Sequence, residues 1–297
     1  MASDERFSAT HLRQDLKRLA VKGGAALFLG QAFQLALSIA STIILARLLV
    51  PEDFGLVAMV LPFVGFLAFI RDSGLHMATI QQATITHAQI STLFWVNLGL
   101  GFGLMILLAS LSPAIAHFFG RDELLWITIA YALNVFISSA SIQHSALLSR
   151  QMAFGRLTAI GIASQVFGIV AGVVGALYNL GYWSLIIMAF ATTALQTILT
   201  WLAARWVPGR PQRGTGVRKM LAFGGGLTIS NLLNQATQYV DSVLIGRMLG
   251  ATPLGFYDRA KQLFLMHLTQ IMGPLNNLTI PTLSRLIDEP EKYAQAY

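Results

Sequence analysis

Residues 23–46 read GGAALFLGQAFQLALSIASTIILA, 24 consecutive positions without Asp, Glu, Lys or Arg. A helix rises 1.5 Å per residue, so about 20 apolar residues cross a bilayer core. This run is long enough to do so, and too long for the apolar core of a cleavable signal peptide. The pattern recurs at 54–70, 90–112, 124–147, 157–178, 182–204, 220–246 and 256–283. Eight transmembrane helices are therefore expected. Short punctuators divide them: Pro51-Glu52-Asp53, Pro113 followed by Gly120-Arg121-Asp122-Glu123, and Tyr178-Asn179-Leu180-Gly181. Pro274 and Pro281 would kink or end the eighth.

Composition agrees with an all-α polytopic membrane protein. Charged residues are 11% of the chain, hydrophobic residues 55%, and the mean hydropathy is +0.63. A soluble fold of 297 residues could not hide that much apolar surface. There is no cysteine, which excludes disulfides and thiolate metal sites. His76, His87, His117, His144 and His267 show no ligand spacing, and no nucleophile–base set is visible, so neither enzyme chemistry nor a cofactor is expected. Gly224-Gly225-Gly226 lacks the preceding strand and the following Lys of a phosphate loop.

The net charge of +7 points to topology rather than to nucleic acid. With eight spans, one side holds the N-terminus, the loops after spans 2, 4 and 6, and the C-terminal tail. That side carries 15 of the 20 Lys and Arg residues, which predicts that both termini are cytoplasmic. Before span 1, Leu12, Leu16 and Leu19 share a helical face while Arg13, Lys17, Arg18 and Lys22 lie mostly elsewhere. Residues 1–22 thus read as a cytoplasmic segment with an interfacial helix, or else as a basic tail.

Shifted by 200, the sequence resembles itself without gaps. Gly24, Leu27, Ala36, Arg47, Leu49 and Gly55 recur as Gly224, Leu227, Ala236, Arg247, Leu249 and Gly255. The polar residues Gln31, Gln34, Ser38 and Ser41 correspond to Asn231, Asn234, Gln238 and Asp241, spaced by three and four so that each set shares a helix face. Span 7 therefore reads as span 1 repeated six helices later, in the same orientation. Parallel repeats of this kind occur in transporters. The expected organisation is a six-helix first lobe over 23–206, a cytoplasmic linker over 207–219, and the start of a second lobe over 220–297.

Several stretches resemble the polysaccharide flippase branch of the multidrug/oligosaccharidyl-lipid/polysaccharide exporter superfamily. They are Arg47-Leu48-Leu49-Val50-Pro51-Glu52-Asp53-Phe54-Gly55, Ser91-Thr92-Leu93-Phe94-Trp95-Val96-Asn97, Leu254-Gly255-Phe256-Tyr257-Asp258-Arg259-Ala260, and Ile280-Pro281-Thr282-Leu283-Ser284-Arg285-Leu286 with Glu289-Pro290-Glu291-Lys292-Tyr293 after it. The resemblance implies two six-helix bundles around a central cavity in the bacterial cytoplasmic (inner) membrane. It implies transport of a lipid-linked saccharide with an anionic (pyro)phosphate head group by alternating access, beside membrane lipids and other polysaccharide assembly proteins. The chain departs from this pattern by stopping after the second helix of the second bundle, so it is expected to be a fragment.

A flippase needs polar side chains at bilayer depth and cations for phosphate. The substrate-cavity candidates are Gln31, Gln34 and Ser38 on span 1, Asn231, Asn234, Gln235 and Gln238 on span 7, and Arg259, Gln262 and Gln270 on span 8. Taken singly, each is equally explained by interhelical hydrogen bonding, worth about 0.6 kcal/mol on average. Asp241 is the coupling-ion candidate; hydration near the surface or pairing with an Arg would also explain it. Two other functions stay open: a cation-coupled multidrug exporter of the same superfamily, and an integral membrane enzyme acting on lipid-linked sugars. The first usually carries acidic residues in its first lobe. The second needs a sizeable outward loop.

Overall fold

The computed structural model describes residues 16–72, 76, 79–80, 85–212 and 239–264, with side chains from Leu29 onward. All regular structure among these residues is helical. The elements are α1 (Leu16–Leu48), α2 (Pro51–Asp72), α3 (His87–Phe119), α4 (Glu123–Ser139), α5 (Ile142–Arg150), α6 (Phe154–Leu177), α7 (Trp183–Ala204) and α8 (Val240–Leu249). Six stretches among the described residues are long and apolar enough to cross a membrane, with α4 and α5 counting as one. The protein is an all-α polytopic membrane protein. The expected spans 220–246 and 256–283 lie largely outside the described residues. α1 continues unbroken from Leu16 into the first span.

The turns follow local chemistry. Thr86 and Gln89 form a reciprocal capping box at the start of α3, with Thr86 N–H donating to Gln89 Oε1 at 2.9 Å. Gly120 ends α3 in a left-handed conformation, and Asn179 and Gly181 adopt positive φ in the turn between α6 and α7. Asp53 opens α2 and accepts from the Val50 amide at 3.2 Å, while Asp122 makes no side-chain cap bond.

Two expected boundaries are corrected. Pro113 does not punctuate spans 3 and 4; it lies inside α3, which runs on to Phe119. Proline removes the bond to the carbonyl four residues back, here Ala109. The buried Ser112 hydroxyl donates to that same carbonyl at 2.8 Å, so the helix passes through without an orphan acceptor. Span 4 is also not one helix. It breaks at Ala140 and Ser141, where Ser138, Ser139 and Ser141 hydroxyls donate to the carbonyls of Val135 and Ser138 at 2.8–2.9 Å. Such back-bonding competes with the helical ladder.

In the unit Met1–Phe256, α2 is the most enclosed helix, buried over Phe54–Val60 and packed against α3, α4 and α8. α6 and α7 approach closely because Gly168, Gly172 and Gly175 stand opposite Thr192, Met188 and Ser184. Two positions related by the 200-residue sequence correspondence meet each other's segments. Gly55 lies against the Ala251 carbonyl, and Gly255 against the Pro51 carbonyl, with no room for a Cβ at either. Positions 51 and 251, and 55 and 255, are equivalent in the 200-residue repeat, so the contact is reciprocal. Residues 257–264 of the unit Tyr257–Tyr297 are helical, with Lys261 Nζ 5.8 Å from the Tyr257 ring centre.

The ends of the spans form two distinct layers. At one, Arg121 pairs with Glu52 and lies 3.4 Å from Glu123, and Arg247 sits over the Phe118 ring. At the other, buried Arg71 donates to the Val135 carbonyl at 3.0 Å and to Ser138, and buried Arg150 donates to the Thr79 carbonyl at 3.3 Å. Here the chain leaving α7 is strapped onto the start of α3. Gly209 N–H donates to Ser91 Oγ at 3.0 Å, Trp95 Nε1 donates to Gly209 O at 2.8 Å, and Gln212 N–H donates to Thr92 Oγ1 at 3.1 Å. The first residues of the expected linker are therefore held, not free. Ser91, Thr92 and Trp95 belong to a stretch that carries the family resemblance, and the strap gives that stretch a structural task.

Candidate functional site

Four spans bring polar side chains together near their midpoints. Ser38 and Ser41 stand midway along the apolar part of α1, Gln165 midway along α6, and Thr192 and Thr193 midway along α7. With Ile169, Met188 and Ala189 they line an open cavity of about 250 Å3. Behind it, Asn134 of α4 accepts from the Thr193 hydroxyl at 3.1 Å. No charged side chain lines the cavity among the described residues.

Its walls are fixed by local packing. Gly161 admits the Gln34 side chain, which lies against it. Gln165 Nε2 donates to the Gln34 carbonyl at 3.1 Å, tying α6 to α1. Gly168 lets α7 come close enough for Thr192 to sit over it, and Thr192 donates back to the Met188 carbonyl at 2.8 Å. Ser41 Oγ rests 3.7 Å from Met188 Sδ.

The expected site residues fare differently. Ser38 lines the cavity, and Gln34 borders it through α6. Gln31, on the same helix, is exposed. Asn231, Asn234, Gln235, Gln238 and Gln270 lie outside the described residues. Asp241 lies in the first turn of α8 and accepts from the Ser242 amide at 2.8 Å, a place where the helix dipole favours an acid. Arg259 is partly buried and holds its neighbour Asp258 at 2.9 Å, and Gln262 is exposed. Sequence reasoning passed over Gln165, Thr192, Thr193 and Asn134. The signal was present: each is a polar residue at the centre of its span, on spans that carry no charge there. The described residues hold no His, Cys, Asp or Glu cluster able to bind a metal.

Residues 44–297 match the polysaccharide biosynthesis protein family. The chain belongs to that family. It is 30% identical to the teichuronic acid biosynthesis protein TuaB of Bacillus subtilis, over 74% of this chain and 46% of that protein. It is 26% identical to the succinoglycan biosynthesis transport protein ExoT of Rhizobium meliloti, over 85% of this chain and 51% of that protein. It is 24% identical to the lipopolysaccharide biosynthesis protein WzxC of Escherichia coli, over 87% of this chain and 53% of that protein. The chain thus spans about half the length of these relatives. No solved structure matches it significantly.

Proposed function

We propose that this polysaccharide biosynthesis family member works in the export of a lipid-linked saccharide across the cytoplasmic membrane, as a flippase operating by alternating access. The observation that carries the reading is the uncharged polar cavity at mid-span, in a chain whose relatives are named for polysaccharide biosynthesis and transport. A polar head group is expensive in hydrocarbon, and four hydroxyls and one amide set into a largely apolar wall at that depth lower the cost. The reciprocal Gly55/Gly255 contact supports the parallel-repeat arrangement that alternating access uses. Because no Asp or Glu lines the cavity among the described residues, the reading favours a saccharide over a cationic drug.

Proteoliposomes carrying a fluorescent lipid-linked oligosaccharide test this directly. Protein-dependent movement between leaflets, read as new accessibility to an external lectin, is expected. A rate equal to that of protein-free vesicles would overturn the reading.

In this reading the end bearing Arg71, Arg150 and the strap faces the cytoplasm, in keeping with the bias in the distribution of Lys and Arg. The chain has no cysteine, so single cysteines report cleanly. In intact cells, an impermeant thiol reagent is expected to label Asn179→Cys and to spare Gln212→Cys. The opposite pattern would invert the topology.

A further inference from the structure

We infer that the mid-span cavity holds an uncharged sugar ring, and that the phosphate of a lipid-linked substrate is held elsewhere. The inference rests on the transport reading and deepens it. It follows from which hydrogen-bonding atoms the cavity leaves unused.

A hydroxyl has one proton to donate and two lone pairs with which to accept. Thr192 spends its proton on the Met188 carbonyl, and Thr193 spends its own on Asn134 Oδ1. Both therefore meet the cavity as acceptors. Gln165 is oriented by the Gln34 carbonyl, which can only accept, so the amide nitrogen must point there. That leaves Gln165 Oε1 as a further acceptor without a partner among the described residues. Among the described residues, the donors that remain are the Ser38 hydroxyl, the second N–H of Gln165, and the Ser41 hydroxyl, which is engaged by the Met188 sulfur. Ile169 and Ala189 supply an apolar wall.

Such a lining discriminates by chemistry. A phosphate accepts only and carries charge; here it would find three uncharged donors set among acceptor lone pairs and no cation among the described residues, and it would lose its hydration. The arginines buried at the end of the bundle, Arg71 and Arg150, donate to backbone carbonyls and do not line the cavity. A sugar ring offers several hydroxyl protons to the acceptors and a C–H face to Ile169 and Ala189. A bare monovalent cation would also be drawn to acceptor oxygens. The cavity, at about 250 Å3, is several times the roughly 30 Å3 share of one water in the liquid, far more than an ion fills.

The test uses the whole chain, purified in a detergent without a sugar head group. Saturation-transfer NMR is run with methyl α-D-glucopyranoside, with glucose 1-phosphate, and with the glycoside plus sodium chloride. Transfer to the glycoside ring protons is expected, with glucose 1-phosphate bound no better. Thr193→Val and Gln165→Leu should each reduce the signal at least fivefold, and Thr193→Ser should retain it. A monodisperse elution profile and an unchanged melting temperature show that the variants fold. Absence of glycoside binding, tighter binding of the phosphate, displacement of the glycoside by sodium, or folded Val and Leu variants that bind like the parent would each overturn the inference. The two readings fail separately. Lipid-linked saccharide translocation without glycoside binding defeats this inference alone, and glycoside binding without translocation defeats the transport reading alone.

Discussion

Trp201→Ala is expected to cost about 3–5 kcal/mol of stability, the usual range for removing a large aromatic from a packed site. Its ring stacks on His144 at 4.2 Å, and Phe94 meets it edge-on at 5.8 Å. Its Nε1 donates to the Ala140 carbonyl at 2.8 Å, at the break between α4 and α5, where the helical ladder is interrupted. His144 in turn contacts the Trp206 carbonyl at 3.2 Å, and Trp206 begins the strap that runs to Gln212. One side chain thus links the broken span, the start of α3 and the strap. Trp201→Phe keeps the ring and loses the N–H, so it should cost only about 1 kcal/mol. Thermal melts in detergent read the first difference. Hydrogen exchange reads the second: the Gly209 and Gln212 amides should lose protection in Trp201→Ala and keep it in Trp201→Phe. Equal melting of the two variants would show that the cluster does not act as a unit.

Much of this architecture was legible in the residues. The absence of charge over 20 or more positions marks a span whatever its packing, because the bilayer imposes the same demand on every helix. Asn179 and Gly181 marked a turn because they tolerate positive φ. Pro113 misled because proline removes a hydrogen bond but does not say whether something else replaces it; Ser112 does. The break at Ala140 and Ser141 has neither Gly nor Pro to announce it, and depends on serine hydroxyls whose rotamers the sequence does not specify. The cavity was half legible. Ser38 was identified, but its partners come from α6 and α7; Gly161 sets the face of α6 that meets α1, and Gly168 the face that meets α7. A glycine stripe of this kind is a tertiary signal that hydropathy does not register.

Gly55→Ala and Gly255→Ala are expected to destabilise the protein by similar amounts, about 1–3 kcal/mol each, as overpacked sites do. Neither glycine has a positive φ, so alanine can adopt its backbone conformation and the penalty is steric. The added methyl would meet a carbonyl of the opposing helix start, Ala251 for position 55 and Pro51 for position 255. A flexible side chain could swing away, but backbone cannot, so the crossing itself must open. Gly99→Ala supplies the control. Gly99 lies within α3 with nothing within 4 Å of its would-be Cβ, and there alanine should stabilise by about 0.5–1 kcal/mol. The double variant should cost less than the sum of the two, because the first methyl already separates the surfaces that the second would meet. A single variant that melts like Gly99→Ala would show that the crossing is loose. Only six identities connect residues 24–55 with 224–255, and one of them is this glycine. A contact that is its own mate under the repeat needs the same small residue on both sides. That is a steric reason for the identity, independent of the protein's function.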